Sequence, residues 1–156
     1  VVEVRTEHRT DPSTWALNMR EDDCPVMIVG TDDVRPVAEL DAVRPVDDPT
    51  WRVLRKTRDS AFVGTGLADL LHRSGVERIA LAGISTESCV ATTAIDAYAH
   101  DLRVVLVADA VLTPDPGRHR AVLEHLAELY RQPAVTLDDL ALGPPRLVLP
   151  GTAGAT

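Results

Sequence analysis

"RIALAGISTESCVATTAIDAYA", Arg78 to Ala99, decides the fold. Its opening, "RIALAG", is a short apolar run closed by Gly83 and reads as a strand. The alanine-rich remainder reads as a helix from about Thr86 to His100. A strand that passes into a helix through so short a turn is the first half of a strand–helix–strand unit. The second half follows at once. "LRVVLVADA", Leu102 to Ala110, is a continuous apolar run of the kind found in strands buried on both faces.

The same alternation extends outward. Upstream, "GLADLLHRSG" places Leu67, Leu70 and Leu71 on one helical face, with Thr65 as the expected N-cap and Gly75 as the stop. "WRVLRK" (Trp51 to Lys56) and "VVEVR" (Val1 to Arg5) read as strands. Downstream, Val122, Leu126, Leu129 and Tyr130 recur at helical spacing within residues 118–130, and "PAVT" suits a last strand. Between the first two strands the chain is polar and turn-rich. There "VMIVG" is a short strand or extended piece, and the stretch from Thr31 to Pro49, with Pro36 and Pro45, is expected to be irregular. Strands alternating with helices indicate an α/β protein with a mostly parallel sheet between helical layers. One domain is expected over residues 1–142, followed by an irregular tail over 143–156.

Composition narrows the function. The 156 residues are enough for a core without disulfides, and two cysteines make no disulfide framework. Free thiols in a reducing, cytoplasmic setting are therefore expected. A net charge of −8 and an aromatic share of 3% argue against a nucleic-acid partner, which needs a basic surface and bases to stack. No apolar run approaches membrane-spanning length, and no charged, apolar, small-residue series opens the chain as a secretion signal would. A small-molecule partner remains. The chain opens inside a strand-like run without an initiator Met, so a processed start or residues upstream of Val1 are expected.

In open α/β sheets, ligands bind at the carboxyl ends of the strands. That rule selects Lys56, the turn after Gly83, and Asp109. Cys89 lies near a helix N-terminus, where the macrodipole and free N–H groups favour a thiolate and stabilise an oxyanion. Position alone leaves two readings open, because free cysteine is also a common buried hydrophobe. Lys56 could equally be a solvated strand end, and Asp109 a backbone cap. Cys24, in a polar loop before Pro25, has no comparable setting. The histidines are scattered; His119 and His125 share a predicted helix but not a metal-ligand spacing.

Two blocks carry a family resemblance. Lys56 is followed by "TRDSAFVGTGL", and Gly83 opens "GISTESCVATT". Together they resemble the isochorismatase-like hydrolases, also called cysteine hydrolases, whose pattern is a Lys before R-x-S-A-F-x-x-T-x-L and then G-x-x-T-x-x-C-V-x-x-T. The likeness covers about residues 51–110. It implies a three-layer, Rossmann-like αβα fold and a catalytic Asp–Lys–Cys centre, with Cys89 as nucleophile and Lys56 as its cation. It also implies an oxyanion hole from the backbone N–H groups of Ser85 and Cys89, and a cis peptide at Ile84–Ser85. Arg58 and Phe62 fall in the block that flanks the substrate pocket, although Phe62 equally suits a core position.

The chain departs from the pattern twice. No segment of it matches the family's first strand, which ends in the Asp. That strand is central in the family's sheet, so its neighbours would be left with unpaired edges. "PRLVLPG" near the C-terminus is the one spare β-like run. Nicotinamidase-type members bind a metal after the second strand, but here that region offers only "TEHRTD", whose Glu7 and His8 would point to opposite faces. No metal and no cofactor are expected. The implied function is cysteine-dependent hydrolysis of a small amide, carbamoyl or ester bond through a thioester, in a homodimer or homotetramer. Two alternatives stand beside it: an isochorismatase-type vinyl ether hydrolase, which Cys89 counts against, and a catalytically silent binding or assembly subunit.

Overall fold

The computed structural model describes residues 1–45 and 47–141. The tail expected from residue 143, and with it "PRLVLPG", lies outside them. Among the described residues five strands form: β1 (Val2–Thr6), β2 (Arg52–Lys56), β3 (Arg78–Ile84), β4 (Arg103–Leu112) and β5 (Ala134–Val135). Every pairing is parallel. Six α-helices accompany them: α1 (Leu17–Glu21), α2 (Ala38–Val43), α3 (Leu67–Arg73), α4 (Ala91–Ala99), α5 (Pro116–Tyr130) and α6 (Leu137–Ala141).

The strands make two separate sheets, β1–β2 and β3–β4–β5. The strand–helix alternation suggested one sheet; among the described residues no strand joins these two. Residues Ala80, Ala82 and Ile84 of β3 are exposed, and Ile84 is 68% so. The core sits instead between β4 and the helices. Val104, Leu106, Val107 and Val111 of β4 are buried, as the unbroken apolar run predicts. Val104, Leu106 and Val111 join Ala94 and Ala97 of α4, Leu67 and Leu71 of α3, and Leu126 of α5. The alanines let α4 approach closely, and deleting a large core residue such as Leu126 would leave a cavity costing about 2–5 kcal/mol.

Local chemistry explains the boundaries. The Thr65 hydroxyl accepts from Leu67 N–H at 3.2 Å, and α3 ends before Gly75 at φ 64°, where a side chain would be strained. Helix α5 starts two residues earlier than its apolar spacing indicates. Asp115 accepts from the N–H groups of Gly117 and Arg118, and Pro116 fills the first helical position. Asp109 does act as a cap, accepting from Leu137 N–H at the start of α6. The polar stretches hold two short helices that periodicity did not reveal. In α1 Met19 alone is buried, and α2 buries none of its residues, so neither carries an apolar stripe. "VMIVG" contributes one isolated bridge, Ile28 to His8.

Glu3 fixes β1 to this irregular region. Its carboxylate accepts from Arg5, from Arg44 at the end of α2 and from Trp51 Nε1, at 2.7–2.9 Å. Burial pushes its pKa up, but these hydrogen bonds outweigh burial and hold it at about 2. Trp51 is thereby tied to β1 through its indole N–H. Trp15 bonds the Arg9 carbonyl at 3.0 Å.

Candidate active site

The β3–α4 junction does not form one uninterrupted helix. Thr86–Val90 makes a wide π-type turn, in which Val90 N–H reaches back five residues to the Ser85 carbonyl at 3.1 Å. Only then does α4 begin. Gly83, at φ 128°, lies where the pairing of β3 with β4 shifts register, a backbone shape that favours glycine. The peptide bond from Ile84 to Ser85 is cis. The Ser85 and Ser88 hydroxyls bond each other at 2.7 Å across the turn. Cys89 is thus presented, partly exposed, from a turn fixed at both ends.

Lys56 meets it from β2. The side chain is buried, 5% exposed, and its ammonium donates to the Arg58 carbonyl at 2.8 Å and to Cys89 Sγ at 3.2 Å. A buried ammonium needs partners to offset desolvation, and here one partner is the thiol. The structure therefore brings together Lys56 and Cys89 from strand ends that the sequence placed on one edge. Asp59, unremarked in the sequence, joins them: Cys89 Sγ donates to its Oδ1 at 3.9 Å. The signal for it was its place inside the block that follows Lys56, at a position the family pattern leaves free.

Residues 57–65 are held against α4. Ala61 N–H donates to the buried Thr93 hydroxyl at 3.0 Å, and the Ser60 hydroxyl accepts from Phe62 N–H at 3.2 Å. Arg58 bonds outward, donating to the carbonyls of Thr14 and Thr57, and so ties the first loop to this block. Phe62 is buried and stacks on His100, ring centroids 4.9 Å apart, at the opposite end of α4 from Cys89. The structure does not bring Phe62 to the thiol.

Near the metal position of the nicotinamidase type, the side chains do not converge. Glu7 pairs with Arg55 at 3.1 Å, whereas His8 is buried with Nδ1 2.8 Å from the Thr14 carbonyl. Among the described residues no three acidic, histidine or cysteine groups cluster as a metal site. Cys24 is exposed.

A sequence model of the isochorismatase domain matches residues 1–138. Maleamate amidohydrolase of Pseudomonas putida is 40% identical over 78 residues, half of this chain and 37% of that protein. The aligned stretch is thus less than half the length of that relative. Among solved structures, an isochorismatase family protein from Desulfovibrio vulgaris superposes with a TM-score of 0.77 at 30% identity, over 92% of this chain and 75% of the other. Nicotinamidase PncA from Bacillus subtilis gives 0.76 at 27% identity, over 86% and 74%.

Proposed function

The chain belongs to the isochorismatase family, and from that premise we propose that it is a cysteine hydrolase of a small amide, carbamoyl or ester. The observation that carries this reading is the 3.2 Å contact between a buried ammonium, Lys56, and the thiol of Cys89. An adjacent cation favours the thiolate, the form that attacks a carbonyl.

The chemistry runs in two steps. The Cys89 proton passes to a carboxylate, for which Asp59 is within reach of Sγ. Sulfur then adds to the carbonyl carbon, and the negative charge moves to oxygen. Peptide N–H groups of Ser85 and Cys89, in the turn before α4, are the donors proposed for that oxyanion. Collapse breaks the carbon–nitrogen or carbon–oxygen bond. The leaving group takes up the proton, and a thioester remains. Water then adds to the thioester, releasing the acid and restoring the thiol. Lys56 holds the sulfur charge before attack and again as the thioester is cleaved. Arg58, whose carbonyl binds the Lys56 ammonium, acts through position, and Phe62 through packing under the same block. Nothing in this scheme calls on a metal or other cofactor. Free cysteines suit a cytoplasmic protein, and we propose a homodimer or homotetramer as its working form.

Names of relatives supply the first substrates to try: maleamate and nicotinamide, each assayed by ammonia release. Turnover of either by the wild type, lost about 10³-fold or more in Cys89→Ala, supports the reading. Turnover that survives Cys89→Ala rules it out. The separation of the β1–β2 sheet from β3–β5 favours one second reading, a catalytically silent binding subunit. Under it Cys89 reacts with iodoacetamide no faster than an ordinary free thiol. An isochorismatase-type reaction on a vinyl ether has no use for the thiol–ammonium contact.

A further inference from the structure

We propose that His119 of α5 is a positioning residue for the turn that carries the nucleophile, acting through Thr86. The inference rests on the cysteine-hydrolase reading. It concerns a part of the molecule that the Lys56–Cys89 contact does not involve.

Thr86 has no exposed surface, yet it carries a hydroxyl. That hydroxyl lies 2.9 Å from His119 Nδ1. A buried hydroxyl must find a partner, and this one finds it outside its own segment, 33 residues along the chain. Thr86 directly follows Ser85, a proposed oxyanion donor, and sits in the same π-type turn as Cys89. A second contact comes from the same quarter. Thr113 Oγ1 donates to Glu87 Oε1 at 2.9 Å, and Arg118 Nη1 approaches that oxygen at 3.7 Å. The β4–α5 connection and the first turn of α5 therefore grip two consecutive residues between Ser85 and Cys89.

The grip is itself anchored. Asp115 caps α5 through Gly117 and Arg118, and His119 N–H bonds the Asp115 carbonyl at 2.9 Å. Farther along α5, Leu126 is fully buried in the core. The site thus has two independent supports. Lys56 holds the sulfur from β2, while His119 holds the peptide segment from α5. Loss of the second support should weaken oxyanion stabilisation while leaving the thiol as reactive as before.

The test separates those two properties. Acylation of sulfur by p-nitrophenyl acetate, read as the p-nitrophenolate burst, uses the oxyanion donors. Alkylation of Cys89 by iodoacetamide, read by mass spectrometry, does not. In His119→Leu and in Thr86→Val the burst rate should fall about tenfold, less than the 10²–10³ of losing a donor outright. Cys89 alkylation should stay within about twofold of wild type. In His119→Asn the amide places a polar atom where Nδ1 stood, and the burst should return to within about threefold. An unchanged burst in His119→Leu and Thr86→Val overturns the proposal. So does alkylation that falls in step with acylation, or His119→Asn behaving like His119→Leu. A wild-type burst no larger than that of Cys89→Ala overturns the underlying reading instead.

Discussion

Cys89 and Lys56 are 33 residues apart in sequence, and their contact unites the ends of two strands that belong to different sheets. Both were legible because each combines a strand-end position with a specific flanking block. Asp59 was not, since a carboxylate after an arginine in a loop looks like any solvated surface acid. It is exposed, and what distinguishes it is its 3.9 Å approach to Sγ. Phe62 shows the converse. Its place in the block suggested a pocket or a core position, and it packs on His100 in the core. The roles of Lys56 and Asp59 separate by experiment. Lys56→Met should slow Cys89 alkylation about tenfold, because the cation next to the sulfur is gone. Asp59→Asn should leave alkylation within about threefold and lower amide turnover about 10²-fold, the scale of a lost general base. Equal effects of both variants on both readouts would contradict this division.

Among the elements, β3, β4 and α5 were readable from apolar pattern alone: β4 and α5 bury side chains in the core, and β3 packs the partly buried Ile79 and Leu81 against it. The π-type turn was not. A one-residue widening leaves no mark on hydrophobic spacing, so the stretch read as a helix from about Thr86 rather than from Ala91. Helices α1 and α2 escaped because one buries a single residue and the other none. Strand β1 shows how a strand can depend on a charge. Glu3 is held at about 2, below its ordinary 4.5, by Arg5, Trp51 and Arg44 working against burial. A depressed folded-state value means its contribution to stability is full above 4.5 and fades as pH falls from there toward 2. Glu3→Gln should cost about 2 kcal/mol in denaturant unfolding near neutral pH, the range for hydrogen bonds to a charged group. The gap from wild type should close as pH falls through that window. A gap that widened on acidification would contradict the assignment.

At the scale of the whole molecule, the strand–helix alternation announced a parallel α/β fold, and superposition on solved isochorismatase-family structures bears that out. The same alternation suggested one sheet, and the described residues form two, because no strand among them pairs between β1–β2 and β3–β5. Long-range anchoring was not legible: nothing in the spacing of Glu3, Arg44 and Trp51, or of Thr86 and His119, marks them as partners. Such pairs arise from tertiary placement and leave no periodic trace. Among the described residues no helix is long and apolar enough to cross a membrane. The net charge of −8 leaves no general attraction for polyanions. What remains is the place where β2 of one sheet and the turn after β3 of the other meet, with the Cys89 thiol in contact with one ammonium and one carboxylate. The most direct test of the account is peptide mapping after brief exposure to p-nitrophenyl acetate, quenched in acid. The account predicts a single acetyl group on Cys89, removed by hydrolysis on longer incubation, with exposed Cys24 unmodified. Acetyl groups on Cys24 and surface lysines, with Cys89 untouched, would contradict it.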